Sequence, residues 1–146
     1  MARFDTLQST DTILDEIIAE LKRADSGDGF APMATAVKFS RRSLADLDKV
    51  LSAAMLPAAV VVYDGSSYHR GRPPTRVARV AVVARVPAKG DPETAAGDAR
   101  EQLDACRDRL DEHTFGNAVV YAVADGVTEG RAGSINYYVT LEVLDH

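Results

Sequence analysis

The highest local density of side chains suited to binding a partner lies in one basic segment, residues 69–76. It holds His69, Arg70, Arg72 and Arg76 in a chain whose net charge is −5. Guanidinium groups bind carboxylates and phosphates, and two prolines stiffen the segment, which lowers the entropy cost of docking. We therefore predict that these four side chains contact a partner, with a solvated hairpin loop as the simpler interpretation.

The chain also contains one cysteine and three histidines. His69, His113 and His146 lie far apart, so their spacing predicts no metal site, and isolated surface histidines are the simpler interpretation. Cys106 falls on an apolar helical stripe. A reactive thiol needs an accessible, electropositive setting, so the pattern predicts a buried and inert cysteine.

Carboxylates give a weak signal for catalysis. Asp64 follows an apolar strand, where catalytic carboxylates often lie, but Asp-Gly is also a common turn former, and we predict a turn at residues 64–67. Asp25 and Asp28 lie among glycines without the ligand spacing or closing glutamate of a calcium loop. The sequence has no phosphate-binding glycine motif and no nucleophile elbow. We therefore expect neither catalysis nor a cofactor.

Length and composition indicate one domain, residues 1–146, with enough chain to bury a core. The acidic balance argues against general affinity for nucleic acid. A single cysteine excludes an internal disulfide and fits a reducing compartment. The first residues are polar, and the longest apolar run, residues 58–63, is too short to cross a bilayer. We expect a protein that is cytoplasmic or assembled in a cytoplasm.

Apolar periodicity predicts the elements of the first half of the chain. A first helix, with Asp5 or Asp11 as its cap, is indicated by Leu7, Leu14, Ile17, Ile18 and Leu21. A strand follows at residues 35–39. A short helix has Ser43 as its predicted N-cap, and Pro57 stops it. Its stripe is Leu44, Leu47, Val50, Leu51 and Met55.

The second half is richer in strand signals. Residues 58–63 are apolar on both faces, which predicts an inner strand. Residues 76–86 alternate, with even positions inward and odd positions, including Arg79 and Arg85, on a wetter face. A helix at 91–112 starts at Asp91 and buries Ala96, Ala99, Leu103, Cys106 and Leu110. A strand at 118–124, a turn at 125–133 and a strand at 134–144 follow, the last with Ile135, Tyr137, Val139, Leu141 and Val143 inward.

This order predicts an α+β domain: a single, mostly antiparallel sheet with helices packed on one face. The side chains that share the inward periodicity form the predicted core. They are Leu14, Ile18, Leu21, Val60, Val62, Val80, Val82, Leu103, Leu110, Val139 and Leu141.

Residues 56–66, Leu-Pro-Ala-Ala-Val-Val-Val-Tyr-Asp-Gly-Ser, resemble a segment of the small tail-terminator (tail-completion) proteins of Mu-like bacteriophages. The resemblance continues through the arginine-and-valine strand at 76–85, the helix with Leu103 and Leu110 and the closing strand at 137–143. The N-terminal helix, residues 13–21, also matches. The resemblance covers most of the chain and implies a tail-terminator-like fold.

The family implies a structural role. Its members form a ring, typically of six subunits, at the head-proximal end of the tail, where the ring stops tube growth and offers a joining surface for the head. The implied partners are other copies of the chain, the tail tube protein and a head-completion (neck) protein. Catalysis, cofactor, small-molecule substrate and membrane are not implied, and the place is the virion tail, assembled in the host cytoplasm. As an alternative, the β-α-β-β-α-β order also suits a ferredoxin-like domain that binds small molecules or regulates.

Overall fold

A computed structural model describes residues 7–24, 27–40, 45–72, 74–87, 90–129 and 134–146. Three helices and six strands lie within these residues, which confirms the α+β class. The elements are α1 (Thr10–Lys22), β1 (Thr35–Phe39), α2 (Leu47–Ala53), β2 (Ala58–His69), β3 (Thr75–Arg85), α3 (Pro92–Leu110), β4 (Thr114–Phe115), β5 (Ala118–Glu129) and β6 (Ile135–Asp145).

The strands form one mixed sheet in the order β1-β2-β3-β6-β5-β4. β1 runs parallel to β2, and the other neighbouring pairs are antiparallel. The β2–β3 turn lies at the same end of the sheet as the C-terminus of β6, since Arg76 pairs with Asp145. Because β1 and β2 are direct neighbours, the chain does not form the split β-α-β arrangement of a ferredoxin-like domain. That topological alternative is wrong.

Two apolar layers enclose the sheet. On one face, α1 and α3 pack against the inward residues of β3, whose predicted alternation from Ala78 to Val86 is confirmed. On the other face, Leu51 of α2 packs against Val60 and Val62. The expectation that helices cover only one face is therefore wrong for α2. A strand that is apolar on both faces needs cover on both.

The predicted core is buried apart from Ile18, which is half-buried against it. Val60 and Val62 are buried in the second layer, away from the other predicted core residues. In α3, Ala95 is buried instead of the predicted Ala96, while Ile135 of β6 is only partly buried. Met55 was expected on the buried stripe of α2, but it follows the helix and is 74% exposed.

Local capping explains where two helices begin. The Ser9 hydroxyl accepts the Thr12 N–H at 3.1 Å and starts α1, so Asp11 lies in the first turn and is not the cap. The Asp91 carboxylate accepts the Thr94 N–H at 2.8 Å, as predicted. Bonds from Thr94 hold the pKa of Asp91 below its ordinary value. The predicted caps Asp5 and Ser43, and Leu44 of the α2 stripe, lie outside the described residues.

Strands β2 and β5 both extend further than predicted. β2 continues to His69, and the expected turn at residues 64–67 is instead a β-bulge, because Tyr63 pairs with Val80 and Gly65 with Arg79. Gly65 has a φ of +121°, which glycine adopts without strain. β5 likewise continues to Glu129, through half of the predicted 125–133 turn. The remainder of that turn, residues 130–133, lies outside the described residues.

Replacing Leu103 by alanine tests the burial of α3 against the sheet. Leu103 is 6% exposed, so the cavity left by Leu103→Ala should lower the free energy of unfolding by about 2–5 kcal/mol. Met55→Ala is the control and should change it by no more than about 0.5 kcal/mol. Urea melts measure both values, and a Leu103→Ala loss as small as that of the control would refute this packing.

Candidate partner-binding surface

The end of the β2–β3 hairpin carries three of the four residues predicted to bind a partner. His69 closes β2 opposite Thr75, and Arg70 and Arg72 follow in the connection. All three basic side chains are exposed. We call His69, Arg70 and Arg72 the basic tip. Its charge and exposure suit it to contact an acidic surface.

Arg76 does not belong to the basic tip, contrary to the sequence-based expectation. It is the second residue of β3 and is buried. Its guanidinium donates to Ser66 Oγ at 2.9 Å and to the carbonyl oxygen of Gln8 at 3.1 Å. It also donates to Thr10 Oγ1 at 2.7 Å and Tyr63 Oη at 3.3 Å. Arg76 therefore attaches the start of α1 to the hairpin and is fully used inside the subunit.

Two tyrosines complete the base of the hairpin. The guanidinium carbon of Arg76 lies 5.7 Å from the ring centroid of Tyr63 and 5.8 Å from that of Tyr68, within cation–π range. Burial raises the pKa of Tyr63, but the bonds with Ser66 and Arg76 outweigh this and leave the pKa below its ordinary value. The part of the hairpin from which the basic tip extends is thus held in place by the hydrogen bonds and cation–π contacts of Arg76.

Arg85 forms a second buried guanidinium site. The sequence placed it on a wetter face, but α2 covers it. It donates to Asn136 Oδ1 at 2.8 Å, Ser52 Oγ at 2.9 Å and Asp48 Oδ1 at 2.6 Å. Because two of these partners lie on α2 and one on β6, Arg85 fixes α2 to the sheet.

Arg109 forms a third buried guanidinium site, which the sequence analysis did not predict. Its guanidinium pairs with Asp28 at 2.7 Å and donates to the carbonyl oxygens of Glu20 and Arg23 at 3.0 and 2.7 Å. It also lies over the ring of Phe30, 4.6 Å from its centroid. The available signal was its position next to Leu110, on the buried side of α3. Arg109 satisfies carbonyls at the C-terminus of α1, so its role is structural.

His113 is not the isolated surface histidine that the sequence suggested. It is half-buried, with Nε2 2.9 Å from Glu16 and Nδ1 3.1 Å from Glu20. Both carboxylates lie on α1, nearly a hundred positions earlier, so spacing along the chain could not reveal this contact. Across the described part of the chain, histidine, cysteine and carboxylate side chains form no cluster of three or more that could hold a metal ion.

Cys106 is buried on α3, as predicted. Burial raises the pKa of its thiol to about 12, although the neighbouring hydroxyl of Tyr137 and the charge of Arg109 act to lower it. A thiol in this state contains almost no thiolate at neutral pH.

The two sides of the sheet end in partly covered strands. β1 pairs with β2 only from Ala58 to Val62, so residues 63–69 extend beyond it. On the far side, β4 pairs with Ala118 and Val119, and the Asp111 carboxylate accepts the Ala122 N–H at 2.9 Å. Within the described residues no strand lies beyond 123–129 of β5. Partly covered edges of this kind are templates for pairing with another chain.

Exposed apolar side chains accompany both edges. On β2, Tyr68 is 52% exposed, and on β5 the exposed residues are Tyr121, Val123 and Val127. Each partly covered edge therefore carries apolar surface that a partner could bury.

A cleft of about 370 Å³ lies between α3 and the segment that precedes β1. Met33 and Val86 line its apolar part, and Asp98 and Glu101 contribute carboxylates. Tyr137 also lines it, but the hydroxyl of this residue is buried and lies beside the Cys106 thiol. The cleft combines an apolar wall with negative charge, so its chemistry suits a small amphipathic molecule with a cationic group.

Comparison with models of known protein families and with characterised proteins finds no match. The helices of the described chain are each too short or too polar to cross a membrane.

Replacing Arg109 by methionine tests whether the guanidinium holds α1 and α3 together. Arg109→Met keeps most of the apolar stem but leaves Asp28 and two carbonyls without their donor. The free energy of unfolding should therefore fall by about 3 kcal/mol or more. Arg107→Met is the matched control on the solvent side of the same helix, and it should lower the free energy of unfolding much less than Arg109→Met, because the ion pairs of Arg107 are screened by water. Chemical denaturation would contradict the assignment if both variants lost equal stability.

Thiol labelling tests the burial of Cys106. With a pKa near 12 and no exposure, the native protein should react slowly at neutral pH and become fast only in denaturant. The measurement is the rate of reaction with a thiol reagent with and without urea. Rapid labelling of protein that remains folded would show that Cys106 is accessible.

Proposed function

We propose that this chain is a tail terminator of the Mu-like phage type. It forms a ring of six copies on the head-proximal end of the tail tube, stops tube growth and presents the joining surface for a head-completion protein. Its role is structural and not catalytic, and its place is the virion tail, assembled in the host cytoplasm. The supporting observation is a single sheet that ends in two different, partly covered edges.

A ring needs two different patches on each subunit, because the contact in a cyclic assembly of more than two copies is heterologous. The β2 edge has Tyr68 and the adjoining basic tip, whereas the β5 edge has Val123, Val127 and Asp125. The two edges lie on opposite sides of one sheet and differ in charge. They therefore meet the requirement for a head-to-tail contact.

The basic tip supports a second part of the proposal. Three basic side chains stand together on a subunit of net charge −5, and the network around Arg76 fixes their base. Such a tip can contact a neighbouring copy or an acidic region of the tail tube. Complementary charge there would set orientation and association rate more than affinity. We also propose that this sheet, which is antiparallel apart from β1, has the fold of the tail terminators.

Mass in solution is the first test. Light scattering should give a mass six times that of the 15.7 kDa chain, and electron microscopy should show rings. Removal of the protein from an assembling phage should yield tails of uncontrolled length. A protein that stays monomeric at all concentrations, and whose loss leaves tail length unchanged, would refute the proposed function.

Replacing Arg70 and Arg72 by alanine together tests the basic tip. Stability should change by no more than about 0.5 kcal/mol, because both side chains are exposed. Assembly, measured by light scattering at several salt concentrations, should be impaired or should depend less on salt.

The matched control for that variant is Lys49→Ala combined with Arg100→Ala. It removes the same charge from exposed positions on α2 and α3. If the tip variant assembles like the control and ends tails at normal length, the tip is only a solvated connection.

The cleft beside Tyr137 favours a second candidate, a small-molecule-binding or regulatory domain. Its apolar wall and its carboxylates would select an amphipathic ligand with a cationic group. The mass measurement also separates the candidates. A dimer whose melting temperature rises with a small molecule would favour this second function over the ring.

A further inference from the structure

We infer that copies of this chain join by strand addition. The outer part of β2, residues 63–69, of one copy pairs with the outer part of β5, residues 123–129, of the next. The inference rests on the proposed ring, since it names the contact that builds it. It commits to a second copy of the chain as the partner of both edges.

Strand direction fits this contact. Three antiparallel steps lead from β2 through β3 and β6 to β5, so β5 runs opposite to β2. A second copy placed beside the first in the same orientation therefore presents its β2 antiparallel to β5. Antiparallel strands pair through perpendicular hydrogen bonds, and the sheet continues across the boundary without turning a face over.

The strand segments that β1 and β4 leave uncovered can also meet, if the second copy is shifted along the direction of the strands. Ser67 is level with Val119 across the sheet, through Val77 and Leu144. The part of β2 beyond β1 is thus level with the part of β5 covered by β4. The two outer parts can meet only if one copy shifts along the strands, and β4 of one copy and β1 of the next then lie at opposite ends of the contact.

Side-chain facing limits the register to alignments in which each face of the sheet continues across the contact. Val127 pairs with the core residue Tyr137, so it lies on the face covered by α1 and α3. Tyr68 pairs with Arg76, which contacts the start of α1, so it lies on that same face. A continued sheet keeps its faces, so Tyr68 of one copy can lie directly opposite Val127 of the next.

That register also brings opposite charges near each other. The same alignment brings Arg70, which follows the last residue of β2, near Asp125 of β5, whose carboxylate Arg107 of its own copy contacts at 3.5 Å. The alignment therefore covers an exposed tyrosine and an exposed valine and brings a cation near a carboxylate. Apolar contacts and opposite charges across strands stabilise antiparallel sheets.

Cysteine cross-linking tests the register. Ser67 and Thr128 are opposite in this alignment, and both are exposed, so Ser67→Cys and Thr128→Cys are mild changes. Within one chain, position 67 is level with Val119, nine residues from 128, or roughly 30 Å at the rise of a strand. A disulfide cannot span that distance, so any bond between them joins two copies. Cys106 is buried and stays in place.

The two single variants are mixed and mildly oxidised. The expected product is a heterodimer of Ser67→Cys with Thr128→Cys, at least roughly tenfold more abundant than with a control pair, because the contact raises the local thiol concentration. The control replaces Thr128→Cys with Thr114→Cys, an exposed threonine on β4. A chain with both Ser67→Cys and Thr128→Cys should give a ladder that ends at the ring.

The other outcomes separate the two proposals. Cross-linking of Ser67→Cys only with itself would indicate symmetric pairing of two β2 edges and would overturn the inference. A ring mass with no disulfide above the control would also overturn it, while the proposed ring would stand. A monomer mass with no disulfide would refute both.

Discussion

Burial of the first half of β2 on both faces is the constraint on which the rest of the structure depends. Val60, Val61 and Val62 are almost completely buried, and each buried valine contributes about 1.5–3 kcal/mol. One face needs α1 and α3, the other needs α2, and β1 covers the edge of residues 58–62. Beyond Val62 the cover decreases, and from Ser67 onward β2 is exposed and leads into the basic tip.

Three buried guanidinium groups fix the helices in these layers. Arg85 holds α2, Arg109 joins the end of α1 to α3, and Arg76 attaches the start of α1 to the hairpin. A buried charge without partners would cost several kcal/mol, so each arginine tolerates only the helix position that supplies its acceptors. Apolar packing brings the layers together, and these arginines determine where along the sheet each helix lies.

The features that depend on local pattern could be predicted from the sequence. The alternation of β3, the Asp91 cap and the buried face of α3 follow from neighbouring residues and are confirmed. The positions of Arg76, Arg85 and His113 could not be predicted, since each of them has partners that lie between 33 and 97 residues away. The Asp-Gly pair at 64–65 misled for a related reason: whether it forms a turn or a bulge depends on the length of the partner strand.

In the candidate partner-binding surface, the basic tip could be recognised from the sequence, because its basic residues contrast with the acidic chain. The far end of β5 was not predicted, because the apolar pattern ends at Ala124 and residues 125–129, which begin with Asp-Gly, resemble a turn. Its exposed residues could be recognised only once the neighbouring strand β6 was known to continue alongside.

The position of the basic tip at one end of the sheet gives the subunit a polarity. The β2–β3 turn lies beside the C-terminus of β6, whereas the last residue of β5 and the first residue of β6 lie at the opposite end. Any closed array in which all copies keep the same orientation would display every tip on one rim and none on the other. Such an array would have two chemically distinct faces made from a single gene product, so two different neighbours could each recognise only one side of it.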